Sequence, residues 1–127
     1  MSGPFIFIAT NRLKPGALEA ERRRVPQLCE FIEKAEPRVL AFNEYADDDG
    51  TEVAVVQVHP DAESMQFHMG VVREQAERAY AETLEATTAI QVFGMPNDAV
   101  LDMLRARAGT GPTLTVKRHH LGGFTRI

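Results

Sequence analysis

The chain has 127 residues, 44% of them hydrophobic, and a formal net charge of −4 at neutral pH. That length suits one domain, and the acidic balance argues against nucleic-acid binding, which needs a basic footprint to displace counterions. No apolar run approaches the roughly 20 residues that span a bilayer, the N-terminus lacks a basic-then-apolar leader pattern, and the single cysteine, Cys29, precludes an intrachain disulfide and fits a cytoplasmic, reducing setting. Cys29 stands between Leu28 and Ile32, so it reads as a buried inert thiol rather than a nucleophile.

The elements follow in chain order. Residues 5–12 form a strand with Phe5, Phe7 and Ala9 on one side and Ile6 and Ile8 on the other, so both faces are expected to be covered. Pro15-Gly16 ends it. Leu18, Val25, Leu28, Ile32 and Ala35 then recur at helical spacing, which predicts a helix over 17–35 that Pro26 should kink or split. Glu36-Pro37 closes that helix. Residues 38–46 read as a second strand, with Val39, Ala41, Asn43 and Tyr45 on one face and Leu40, Phe42 and Glu44 on the other. Asp49-Gly50 marks a hairpin into a third strand over 51–58. The run Asp47-Asp48-Asp49 lacks the alternating ligands and distal glutamate of a calcium loop, so it is a turn.

Pro60 stops the third strand, and Asp61 or Ser64 can cap a helix that the pattern extends from about residue 62 to 85. Its apolar stripe is Met65, Met69, Val72, Ala76 and Ala79, with His68 on the same side. A fourth strand covers 87–94. Pro96-Asn97 starts a further helix through residue 108, with Val100, Leu101 and Leu104 inward, and residues 109–112 form a linker without phosphate-loop spacing. A last strand covers 113–118, and Gly122-Gly123 precedes Phe124 and Ile127, which are expected to anchor the end. All acids lie at or before Asp102, whereas Arg105, Arg107, Lys117, Arg118 and Arg126 follow it unbalanced. Such a basic tail can dock on a second subunit, attract an anionic ligand, or simply be solvated.

The order is strand-helix-strand-strand-helix-strand plus a helix and a strand. This is an α+β, ferredoxin-like split β-α-β plan in a single domain, residues 1–127, with a core over 4–94 and an extension over 95–127. Because the first and third strands are apolar at nearly every position, the sheet face away from the helices needs a cover. A second copy supplies it most simply, giving a homodimer with facing sheets.

The chain resembles the dimeric α/β-barrel superfamily, and within it the antibiotic-biosynthesis-monooxygenase-like domains. The resemblance covers roughly residues 4–94 and rests on motif order: the 5–10 strand with Pro15-Gly16, the Glu36-Pro37 join, Asn43-Glu44-Tyr45, the Asp49-Gly50 hairpin, and the passage from His59 to His68 and Met69. The tail Leu121-Gly122-Gly123-Phe124-Thr125-Arg126 looks like that of a subgroup of small actinobacterial-type proteins. The resemblance implies a dimer with a cavity in each subunit between sheet and helices, and chemistry that often uses no metal or prosthetic group. Some members oxygenate quinols or phenolic polyketides without a cofactor, some degrade haem, and some have no known activity. This chain has no tryptophan. The haem degraders and the polyketide oxygenases depend on one beside an asparagine, so haem degradation is disfavoured and phenol oxygenation has to proceed without that residue.

His68 is the candidate catalytic residue. A helix imidazole facing the sheet can deprotonate a phenol, and the phenolate can then pass an electron to dioxygen; alternatively His68 is a core or interface histidine bonded to a carbonyl. Asn43 and Tyr45 are the candidate substrate-binding residues if their face lines the cavity, and interface polar groups if it meets a partner sheet. His59, Asp61 and His68 lack metal-ligand spacing, which leaves Asp61 as a cap and His59 exposed or locally bonded; no metal site is expected. His119 and His120 point to opposite faces of a strand. Met65, Met69, Met95 and Met103 read as core filler. The function read from the sequence is a homodimer that binds a hydrophobic aromatic or quinol-like molecule and oxygenates it without a cofactor. The alternative is a non-catalytic structural or ligand-sequestering dimer whose cavity its own Phe and Met side chains fill.

Overall fold

A computed structural model describes residues 3–108 and 111–126. The elements are β1 (Phe5–Leu13), α1 (Leu18–Ala35), β2 (Ala41–Ala46), β3 (Glu52–His59), α2 (Ala62–Val71), α3 (Arg73–Glu82), β4 (Leu84–Phe93), α4 (Asp98–Ala108) and β5 (Thr113–Lys117). The sheet order is β2-β3-β1-β4-β5. The first four strands pair antiparallel in the split β-α-β order, while β5 runs parallel to β4 after the α4 crossover.

Strand parity sorts the two faces. Phe5, Phe7, Ala9, Asn11 and Leu13 of β1 are buried on one face. Phe5, Phe7 and Ala9 pack with Ile90 and Val92 of β4, Ala62 and Met65 of α2, and Val100 and Leu104 of α4. A second cluster joins Leu13, Val53 and Leu84 to Ala79 and Tyr80 of α3 and to Leu18 of α1. All four helices therefore lie on that one face. The opposite face carries Ile6, Ile8, Val56, Val58 and Phe93, all only half-buried in the single chain.

The hairpin forms as the Asp-Gly signal requires. Gly50 has φ +70, and a Cβ there would lie 2.8 Å from Leu18 Cδ2. Asp47 spends its carboxylate inside the turn, accepting from the backbone of Thr51 at 3.0 Å and of Glu52 at 3.2 Å. Helix α1 runs unbroken through Pro26 rather than splitting. Both Pro26 and Arg22, whose carbonyl the proline deprives of a donor, face solvent, so water can take the missing bond. The helix expected over 62–85 instead divides at Val72, with φ −95 and ψ 8. The sequence Gly70-Val71-Val72 combines a poor helix former with two β-branched residues at that point.

Two smaller expectations fail. Met95 and Met103 are 55% and 38% exposed rather than core filler: Met95 lies in the β4–α4 connection and Met103 on the wall of the inner cavity. Phe124 is 82% exposed and does not anchor the end of the chain, since the segment after β5 forms no regular element that would press it against the body. Ile127 and part of the 109–112 linker lie outside the described residues.

Candidate functional site

The buried residues of helix α1 are Glu21 and Ile32, towards its two ends. Arg24, Leu28 and Ile32 of that helix border a cavity of about 440 Å³. Its walls are Phe7 and Ala9 of β1, Phe42 and Glu44 of β2, Val55 and Gln57 of β3, Arg24, Leu28 and Ile32 of α1, and the stripe Met65, His68, Met69, Val72, Ala76 and Ala79 of α2 and α3. The exposed lining residues Arg73, Glu77, Met103, Ala106 and Arg107 place the mouth between α3 and α4. A shallower depression of about 630 Å³ along α2 is lined by Glu63, Gln66, Phe67, Gly70, Val71 and Asn97. It is lined by one carboxylate and no histidine, whereas the inner cavity is lined by His68 and Glu44.

Two buried histidines meet behind that cavity, with ring centroids 5.6 Å apart, and their partners give them different roles. Asp61 caps α2 by accepting from Ser64 N at 2.9 Å. Ser64 Oγ in turn lies 2.8 Å from His59 Nδ1, and Gln57 Oε1 lies 3.0 Å from His59 Nε2. Burial and the neighbouring His68 push the His59 pKa down to about 4, so the ring is neutral near neutral pH. A neutral imidazole gives one hydrogen bond and accepts one. Gln57 Oε1 can only accept, so Nε2–H donates to it and Ser64 donates to Nδ1. Both nitrogens of His59 are spent, and the residue is fully buried rather than exposed.

His68 is 3% exposed, and among the described residues only its Nδ1 is engaged, at 2.8 and 3.1 Å from the carboxylate oxygens of Glu36. Glu36 closes α1. Its pre-proline backbone is extended, with φ −133 and ψ 80, and its carboxylate turns inward to reach His68. A carboxylate on Nδ1–H fixes the tautomer and leaves the Nε2 lone pair for a molecule in the cavity, the arrangement of a carboxylate-oriented general base. Phe42 packs on the same ring with centroids 5.8 Å apart.

A second polar group lies on the α1 side. Glu21 accepts from Arg24 Nε at 2.8 Å, from Arg24 Nη2 at 2.6 Å and from Thr83 Oγ1 at 2.7 Å. Burial alone would raise the Glu21 pKa; bonds from Arg24, Glu44 and Thr83 outweigh it and hold it at about 2. Glu44 has the opposite fate. Burial and the adjacent Glu21 carboxylate push it up to about 9, since two carboxylates sharing a dry site cannot both ionise. Arg24 Nη2 is 3.9 Å from Glu44 Oε1, too far to offset this fully. The same burial, with Glu44 nearby, raises the Cys29 thiol pKa, consistent with an unreactive thiol. A third group links Tyr80, Thr87 and Asn11 across the sheet end; Thr87 Oγ1 donates to Asn11 Oδ1 at 2.6 Å.

His68 lines the cavity. Asn43 and Tyr45 are not brought to it. Both are exposed on the opposite face of β2, Tyr45 by 62%, because the register aligns Phe42 with Gln57 and Glu44 with Val55 on the helix side. Sequence reasoning missed Glu36 as the partner of His68 and missed the Glu21–Glu44 pair. A charged residue at the very join of a helix and a proline was the one available signal for Glu36. Among the described residues no three His, Cys, Asp or Glu side chains converge as metal ligands.

No protein-family model and no curated protein matches the chain. Solved structures do. MupZ from Pseudomonas fluorescens superposes with a TM-score of 0.73 at 19% identity over 98% of this chain and 95% of that one, so that match takes in the extension as well as the core. PA3566 from Pseudomonas aeruginosa follows at 0.60 and 24% identity, covering 72% of this chain and 93% of that one. A candidate antibiotic biosynthesis monooxygenase from Caulobacter crescentus matches at 0.62 and 14% identity, covering 72% and 88%. The chain shares its fold with solved structures that include candidate antibiotic biosynthesis monooxygenases, and the MupZ match extends that likeness to the C-terminal helix and strand.

Proposed function

We propose that the protein binds a hydrophobic aromatic or quinol-like molecule in the inner cavity and oxygenates it without a cofactor, with His68 as the base. The observation that carries this reading is the buried His68–Glu36 pair, with His68 on the wall of an open, mostly apolar pocket and its Nε2 without a hydrogen-bond partner among the described residues. Phe7, Phe42, Met65 and Met69 form the walls of that pocket rather than its filling, which weighs against a cavity closed by its own side chains.

The chemistry needs three contributions from the chain. The apolar walls hold the aromatic ring and exclude water. His68 takes the hydroxyl proton at Nε2, and Glu36 stabilises the imidazolium that results. The phenolate passes one electron to dioxygen, and the two radicals recombine at a ring carbon to give a hydroperoxide. Loss of water from it, with cleavage of the O–O bond, leaves the quinone: one oxygen atom stays on the ring, the other leaves as water, and dioxygen is the oxidant. Asn43 and Tyr45 belong in this reading to the outer sheet face, where a second copy would cover Ile6, Ile8, Val56, Val58 and Phe93.

Oxygen uptake with a naphthoquinol under air tests the proposal. The native protein should consume oxygen faster than buffer, and His68→Ala should fall to the buffer rate. Uptake equal to buffer for the native protein across a panel of quinols and naphthols overturns the oxygenase.

A further inference from the structure

Glu44 and Gln75 are polar cavity-lining residues with no part in the proton abstraction described above. Glu44 has a side chain only 4% exposed and lines the cavity, with its carboxyl beside that of Glu21, whose lower pKa makes Glu21 the acceptor of a shared proton. A carboxyl group whose proton is committed in this way still has an oxygen with lone pairs. Gln75 Oε1 is buried with no hydrogen-bond donor among the described residues, an arrangement that is costly unless something else supplies one. His68 Nε2 is likewise an acceptor once Nδ1–H is bonded to Glu36. Arg73 and Arg107 carry donors at the mouth, and Arg24 Nε and Nη2 are committed to Glu21; the buried groups left over inside, Glu44, Gln75 Oε1 and His68 Nε2, are acceptors.

We propose that Glu44 is a second anchor of the cavity, accepting a hydrogen bond from a second hydroxyl of the bound aromatic molecule, so that the site selects dihydroxyarenes over monohydroxyarenes. This rests on the aromatic-ligand reading of the cavity and narrows its substrate class. The placement fits a rigid ligand. Phe42 packs on the His68 ring, and Glu44 follows two residues later on the same face of β2, one pleat repeat or roughly 7 Å along the strand. One hydroxyl at His68 and another on the far side of the ring system thus address separate walls.

Calorimetric titration under argon separates this inference from the oxygenation chemistry. The native protein should bind naphthalene-2,6-diol about tenfold tighter than 2-naphthol, the scale of one hydrogen bond to a buried group, and 6-methoxy-2-naphthol, which fills the same space without the second donor, should bind no better than 2-naphthol. Glu44→Leu should erase the preference, and Glu44→Gln, whose amide can donate to Glu21 and still accept from the ligand, should restore it. Equal affinity of the native protein for the diol and 2-naphthol overturns the role of Glu44 and leaves the cavity reading standing, and so does a preference that persists in Glu44→Leu. Binding of none of the three compounds overturns both. The methoxy comparison on native protein decides the matter even if Glu44→Leu does not fold.

Discussion

Glu44→Gln should make the folded protein more tolerant of rising pH. In the native chain Glu44 keeps its proton up to about 9, against an ordinary value of 4.5, so folding takes up one proton throughout that window. A folded-state pKa raised above the unfolded one contributes stability that is complete below about pH 4.5 and is lost as pH climbs towards 9. Glu21 adds no slope there, because its pKa of about 2 leaves it ionised in both states above pH 5 or so; its own stabilisation is lost only as pH falls from 4.5 towards 2. One proton corresponds to about 1.4 kcal/mol per pH unit. Between about pH 5 and about pH 8 native stability should therefore drop by about 4 kcal/mol relative to Glu44→Gln, which has no proton to take up. Urea melts of both proteins at equal concentration across that range measure the gap. Parallel pH profiles would refute the shared proton and with it the account of this wall of the cavity.

Glu36→Ala should lower stability by about 3 kcal/mol in a thermal melt, because it leaves the buried His68 Nδ1–H without its acceptor, and should cut quinol oxidation by about 10²-fold or more through loss of the oriented base. Removal of the α2 cap by Asp61→Ala should cost about 1 kcal/mol, read as a small drop in melting temperature with quinol binding retained. Val56→Lys puts a charge at the centre of the half-buried sheet face; in sedimentation the native protein should run as a dimer and this variant as a folded monomer, and a native protein that is itself a stable monomer rejects the facing-sheet assembly.

Much of the fold was legible because its signals are local. The Asp49-Gly50 pair needs only a glycine that accepts φ +70, and the stripe from Met65 to Ala79 follows from spacing alone, as does His68 lying on it. The site was legible only where one element supplied it. Nothing in the local pattern links Glu36 to His68, 32 residues on, and a buried histidine says only that some partner exists. Strand β2 was ambiguous in kind: each face mixes one or two apolar residues with a polar one, so neither parity of Phe42-Asn43-Glu44-Tyr45 declares itself inward. Pairing with β3 decides it, turning Glu44 in and Asn43 and Tyr45 out. The same non-local cause hid His59, whose burial comes from the packing of α2 over the end of β3 and from Phe5 against its ring.

The most direct test of the central claim is mass spectrometry of the product formed from a naphthol or naphthoquinol under isotopically labelled dioxygen. The account predicts one labelled oxygen atom on the product ring with native protein and none above background with His68→Ala. A product that acquires no label from dioxygen, formed equally well by both proteins, would contradict it.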